Sequence, residues 1–94
     1  MVTAIVLVNV DRMSIPETCQ QLADIEGVAE VYSVSGEFDI VAVVRVPHYD
    51  DLATLVTEHV LKMPTISGTR TLMAFRTYCK HDLEHIFDIG AEED

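Results

Sequence analysis

Residues 28–46 read VAEVYSVSGEFDIVAVVRV. Two runs rich in β-branched residues, Val28–Val34 and Ile40–Val46, flank a polar, glycine-bearing break, Val34-Ser35-Gly36-Glu37-Phe38-Asp39. Two apolar runs joined this way predict a β-hairpin. The break carries more than a turn requires. Gly36 permits a positive φ, or the close approach of another group to the backbone. Glu37 and Asp39 set two carboxylates beside it, and Phe38 adds an aromatic wall. Taken alone, the stretch is most simply an ordinary hairpin turn. The sharper reading is a small-molecule pocket, with backbone N–H groups facing an anion and a carboxylate facing an amine.

Upstream of the hairpin, Ser14-Ile15-Pro16-Glu17 announces a helix over about 14–26. Ser14 followed by Glu17 has the spacing of a capping box, and proline is tolerated in the first turn. Ile15, Cys19, Leu22 and Ile25 share one helical face, and Gly27 is a natural stop. Ahead of this helix, Val2–Val10 (VTAIVLVNV) is a β-branched strand. Both its faces are largely apolar, Val2, Ala4, Val6, Val8 and Val10 on one and Thr3, Ile5, Leu7 and Asn9 on the other. Such a strand is expected to be covered on both sides.

Downstream, Pro47 ends the third strand. His48 or Asp50 can cap a second helix running to about Lys62, with Tyr49, Leu52, Ala53, Val56, Val60 and Met63 as its apolar stripe. Pro64 stops it. Ile66–Tyr78 then predicts a fourth strand, with Thr69, Thr71, Met73 and Phe75 on one face and Arg70, Leu72, Ala74 and Arg76 on the other.

The order β-α-β-β-α-β in this length predicts an α+β, ferredoxin-like fold of the dimeric α/β barrel type. It is a four-stranded antiparallel sheet with both helices on one face. A wet second face would leave several Val, Ile and Leu side chains exposed, each forfeiting about 1.5–3 kcal/mol of burial. A domain of this size has only about 5–15 kcal/mol in hand. The open face is therefore expected to pack on a second copy.

Residues 1–80 are expected to form this one domain and 81–94 an acidic helical extension, with Leu83, Ile86 and Phe87 on one side. The formal net charge is −10, and residues 81–94 hold six acids and no Lys or Arg. No cluster of basic residues suits phosphate neutralisation, so direct nucleic-acid binding is not expected, nor is an anionic membrane surface. No apolar run approaches a membrane span and no signal-peptide pattern opens the chain, so the expected location is cytoplasmic. Cys19 and Cys79 read as reduced thiols, with Cys19 a small core residue.

Catalytic and metal motifs are missing. No serine sits in a GxSxG setting, and there is no GxGxxG or GxxxxGK[ST]. Neither cysteine has an activating neighbour. His81 and His85 have metal-ligand spacing on a helix, but a solvated charged face explains them more simply than a metal does. His48 and His59 read as surface or boundary residues. No catalytic residue, metal or cofactor is therefore assigned. Thr69 and Thr71, at period two, add hydroxyls that would suit the carboxylate of an amino acid, with Asp39 for its ammonium; both are also ordinary strand formers.

Val31–Val46 together with Ile66–Phe75 (ISGTRTLMAF) resembles the effector (RAM) domain of the Lrp/AsnC family, the feast/famine regulators of bacteria and archaea. Gly36, Phe38, Asp39, Arg45, Pro64, Thr69 and Thr71 each find a place in that family's ordered pattern, and the resemblance covers about residues 2–77. It implies a βαββαβ domain that pairs through its sheet faces. The resulting homodimers join into larger rings, commonly octamers, with a small effector, usually an amino acid, between dimers. Carried over, Gly36 and Asp39 would touch the ligand together with Thr69 and Thr71, while Tyr32, Ser35 and Glu37 supply backbone or wall. The family's aromatic is often Tyr where this chain has Phe38. Family regulators also carry an N-terminal helix-turn-helix domain that this sequence does not show. It resembles the stand-alone effector domain, acting through another protein such as a full-length regulator. Alternatives of other classes are a dimeric α+β barrel enzyme or haem/small-substrate protein, marked by an inward-turned His59 or His48, and a ligand-free structural partner of a regulator. An ACT-type module ranks lower, because Asp11-Arg12-Met13 lacks a glycine after the first strand.

Overall fold

The computed structural model describes residues 1–78 and Lys80. Its centre is β1 (Val2–Val10), paired antiparallel on one side with β3 (Ile40–Val46) and on the other with β4 (Ile66–Met73). Strand β2 (Val28–Ser33) pairs with β3, so the sheet order is β2-β3-β1-β4. Helix α1 (Ile15–Ala23) connects β1 to β2. Helix α2 (Tyr49–Leu55) continues as a π-helical segment, Val56–Val60, before β4. This is the predicted four-stranded antiparallel sheet with two helices, and the β2–β3 hairpin sits where its sequence put it.

The alternation in β1 resolves into two different surfaces. Ala4, Val6, Val8 and Val10 are buried beneath the helices with Ile40, Ala42, Val44 and Val46 of β3. Leu22 of α1, Leu52 and Leu55 of α2 and Val60 close that core from above. The odd-numbered residues point the other way. Ile5 and Leu7 are only half-buried, as are Val41 and Val43 beside them, and Leu72 of β4 is 46% exposed. The second face is thus apolar and uncovered in the single protomer.

Three local expectations are corrected. Ser14 does not cap α1: the chain enters through a 3-10 turn, Arg12–Ser14, and Ser14 has φ −102° and ψ 6° with no side-chain capping bond. Its N–H instead donates to the Asp11 carbonyl at 2.8 Å. An N-cap needs extended backbone to aim its oxygen at the first turn, and the 3-10 entry removes it. The first helix also ends earlier than expected, at Ala23. Strand β4 ends at Met73, not Tyr78, because Met73 pairs with Ala4 and β1 has almost run out. One further bond, Ala74 N–H to the Thr3 carbonyl at 3.0 Å, is made before Phe75 stands 99% exposed.

At α2, Asp51 Oδ2 accepts the His48 N–H at 3.1 Å, which satisfies the donor that precedes the helix. Gly27, with φ +104°, lets the chain turn into β2; a Cβ there would lie 2.9 Å from both Leu55 Cδ1 and Val46 Cγ1. Thr18, fully buried on α1, finds its hydroxyl partner in Thr65 at 2.7 Å. That contact pins α1 to the segment leading into β4. The expected extension 81–94 and Cys79 lie outside the described residues.

Candidate functional site

The loop between β2 and β3 is built from its neck. Val34 N–H donates to the Asp39 carbonyl at 2.9 Å, closing the loop on itself. Asp39 then ties it to the central strand twice. Its N–H donates to the Val8 carbonyl at 3.0 Å, and its Oδ2 accepts the Val10 N–H at 3.0 Å. The second bond falls where the β1–β4 register shifts between Asn9 and Val10. The β1–β3 pairing stops at Val8 and Ile40, so the Val10 N–H, on the same edge of β1 as the Val8 carbonyl, lies beyond that ladder, and the carboxylate takes it.

Beyond this neck, Ser35, Gly36 and Glu37 are exposed. Gly36 has φ +128°, and a Cβ there would meet nothing within 4 Å. The glycine therefore answers a backbone need and leaves open space above it. Phe38 is half-buried. The Arg70 guanidinium carbon lies 5.9 Å from its ring centroid, within range of a cation–π contact.

The candidate residues do not all share one side of the sheet. Thr69 pairs with Val8 and Thr71 with Val6, which sets both on the helix side. Thr69 is half-buried and flanks the same end of β1 as Asp39. Thr71 is exposed, one step further along, and lines an open apolar cleft of about 300 Å³ between α2 and β4 with Met73 and Tyr49. Tyr32 pairs with Val41 and so lies on the uncovered face, 50% exposed. The Glu30 carboxylate, by hydrogen bonding and by charge, holds the Tyr32 phenol above its ordinary pKa, with Arg45 opposing.

A larger cleft, about 490 Å³, opens at the opposite end of the sheet, where Glu26, Gly27, Asp51, Leu55 and His59 meet the end of β3. Its walls come from separate elements, so no contiguous motif announced it. His48 and His59 are both exposed, His59 on the wall of this open cleft, and neither is enclosed between sheet and helices. Among the described residues no group of three His, Cys, Asp or Glu could hold a metal ion. No described helix is long and apolar enough to cross a membrane. The His81 and His85 pair lies outside the described residues. Cys19 packs half-buried against the core, and that burial pushes its thiol pKa up.

A βαββαβ sheet with both helices on one face and the other face bare places the chain among the ferredoxin-like α+β domains. The chain belongs to the Lrp/AsnC family: the model of the Lrp/AsnC ligand binding domain matches residues 3–83. It is 33% identical over 78 residues to an HTH-type transcriptional regulator of Pyrococcus furiosus, covering 80% of this chain and 52% of that protein. It thus spans about half the length of the transcriptional regulators it matches. The crystal structure of a Thermus thermophilus protein, TTHA0845, superposes with TM-score 0.80 at 38% identity, covering 85% of this chain and 100% of that one. The transcriptional regulator NMB0573 of Neisseria meningitidis, solved as a complex with L-Met, superposes with TM-score 0.75 at 10% identity, over 83% of this chain and 52% of that one. At that identity the likeness is one of fold.

Proposed function

We propose that this domain binds a small effector, an amino acid, at the loop 34–39, and that it passes the signal on through protein contacts. The observation that carries this reading is the loop's construction. Asp39 fixes the neck to β1 by two hydrogen bonds, while Ser35, Gly36 and Glu37 stay untied with open space over the glycine. Rigid support under an approachable backbone is what a small-ligand site requires. Asp39 spends one oxygen on Val10 and retains acceptor capacity for an ammonium group. Gly36 offers backbone to a carboxylate, Thr69 offers a hydroxyl, and Ser35 and Glu37 supply wall; Thr71, further along β4, and Tyr32, on the uncovered face, would add hydroxyl and wall only from another copy. The L-Met complex of the Neisseria fold relative supports an amino acid as the ligand class.

In one protomer neither the 490 Å³ nor the 300 Å³ cleft is lined by residues of the loop. A site of this kind is completed by another copy. The uncovered face of Ile5, Leu7, Val41, Val43 and Leu72 is the surface on which a homodimer would form, and dimers would then join into an octamer or other ring. The domain would act without touching DNA itself, in the cytoplasm, by joining a full-length Lrp/AsnC regulator. The match to proteins named as transcriptional regulators supports a regulatory role.

Calorimetric titration with each of the twenty amino acids, at protein well above micromolar, tests the sensing function. Saturable heat with at least one amino acid, lost in Asp39→Asn, is expected. Absence of heat with all twenty overturns it.

A further inference from the structure

We propose that Arg70 is a positioning residue for the loop 34–39, holding it against the sheet face on which a second copy would seat. The proposal rests on the reading of that loop as the effector site. Arg70 pairs with Leu7, so it rises from the uncovered face and not from the helix side. Its guanidinium stands 5.9 Å from the centroid of Phe38, a ring that belongs to the loop. β1 lies between β3, which the loop feeds, and β4, which carries Arg70. The contact therefore bridges the central strand. Among the described residues Arg70 makes no ion pair, and the aromatic face is the partner the structure gives it.

The contact complements the two bonds of Asp39. Those bonds hold the loop's backbone neck, whereas Phe38 is the side chain by which the loop grips the sheet. Two different surfaces meet here: the loop that would touch an amino acid and the apolar face that would pair. A guanidinium over an aromatic ring is worth about a twofold to fivefold factor at an exposed site and about thirtyfold when desolvated. Covering the face would dry this pair and tighten the loop. By reciprocity, ordering of the loop by a ligand would favour pairing by the same factor.

Hydrogen exchange tests the proposal without any ligand. Three amides report the loop's attachment: Val10 N–H on Asp39 Oδ2, Asp39 N–H on the Val8 carbonyl, and Val34 N–H on the Asp39 carbonyl. Two amides report the sheet elsewhere: Ala74 N–H on the Thr3 carbonyl and Arg45 N–H on the Gly27 carbonyl. Local opening governs such exchange. Arg70→Leu and Phe38→Leu are each expected to speed exchange at the three loop amides at least twofold, leaving the other two unchanged. The double variant is expected to go no further than the larger single effect, and Arg70→Lys to recover part of the protection. Unchanged loop exchange in Arg70→Leu overturns the proposal. So does an equal loss at Ala74, which would mean that Arg70 only supports β4, and so do fully additive single effects. Loss of loop protection in a protein that binds no amino acid would sink the sensing role and leave this coupling standing.

Discussion

Asp39 Oδ2 accepts the backbone N–H of Val10 at 3.0 Å, across twenty-nine residues of sequence. This bond makes the acid of the loop a structural member of the sheet as well as a candidate ligand contact. The two roles separate by substitution. Asp39→Ala leaves the Val10 donor unsatisfied and is expected to cost about 1–3 kcal/mol. Asp39→Asn keeps an acceptor and is expected to cost less than about 1.5 kcal/mol, while removing the charge an ammonium needs. Urea unfolding read beside calorimetry checks both. Equal stability losses for the two variants would show that the bond to Val10 contributes nothing beyond charge.

The glycines at 27 and 36 both have positive φ but different surroundings. Gly36→Ala meets only the backbone penalty, about 1–3 kcal/mol. Gly27→Ala adds overlap with Leu55 and Val46 at 2.9 Å, and overpacking of this kind costs about 1–3 kcal/mol more. The denaturation midpoint is expected to fall further for Gly27→Ala.

Leu72 provides the test of assembly. It is 46% exposed in the protomer, so a charge there disturbs the fold little. On a paired face it would be buried and unpartnered. Leu72→Glu is expected to sediment as a folded monomer at concentrations where the unaltered protein is dimeric or larger.

Thr18 and Thr65 share one hydrogen bond of 2.7 Å, but Thr18 is fully buried and Thr65 only partly. Thr65→Ala strands the Thr18 hydroxyl away from water and is expected to cost about 1–3 kcal/mol. Thr18→Val removes the buried hydroxyl at nearly constant volume, and Thr65 can still reach solvent. Thermal unfolding is expected to rank Thr65→Ala as the more damaging.

Cys19 sets an alkaline limit. Burial raises its thiol above the ordinary value of 9.0. The folded state then holds this proton more tightly than the unfolded chain does. Its contribution is fully present below the unfolded pKa and is lost as pH climbs through the folded one. Stability is expected to decline above about pH 9, where free thiols ionise. Cys19→Ala should show a shallower decline over that range.

The sheet was legible because its strands advertise themselves. The β-branched runs of β1 and β3, broken by Pro47 and by the Gly36 loop, leave little choice of order, and period-two spacing placed Thr69 and Thr71 on one side. Local rules failed where tertiary geometry intervened. Ser14 and Glu17 have capping-box spacing, but the 3-10 turn at Arg12–Ser14 turned the serine's backbone inward. The π-helical stretch at Val56–Val60 follows an unbroken helical pattern and has no signature in its residues. Asp39 was readable as a polar residue beside a glycine. Its bond to Val10 was not, because that depends on where the ladder between β1 and β3, strands far apart in sequence, comes to an end. The family resemblance groups Tyr32 with the loop, yet strand alternation sends it to the opposite side from the threonines.

β1 is made first and finds its partners last. Its neighbours in the sheet are residues 40–46 and 66–73, so one flank waits for the middle of the chain and the other for β4 to leave the ribosome. At about 5–20 residues per second, the run VTAIVLVNV waits on the order of seconds with every edge unpaired. The strand at the centre of the finished sheet is thus the one left longest without its neighbours during synthesis.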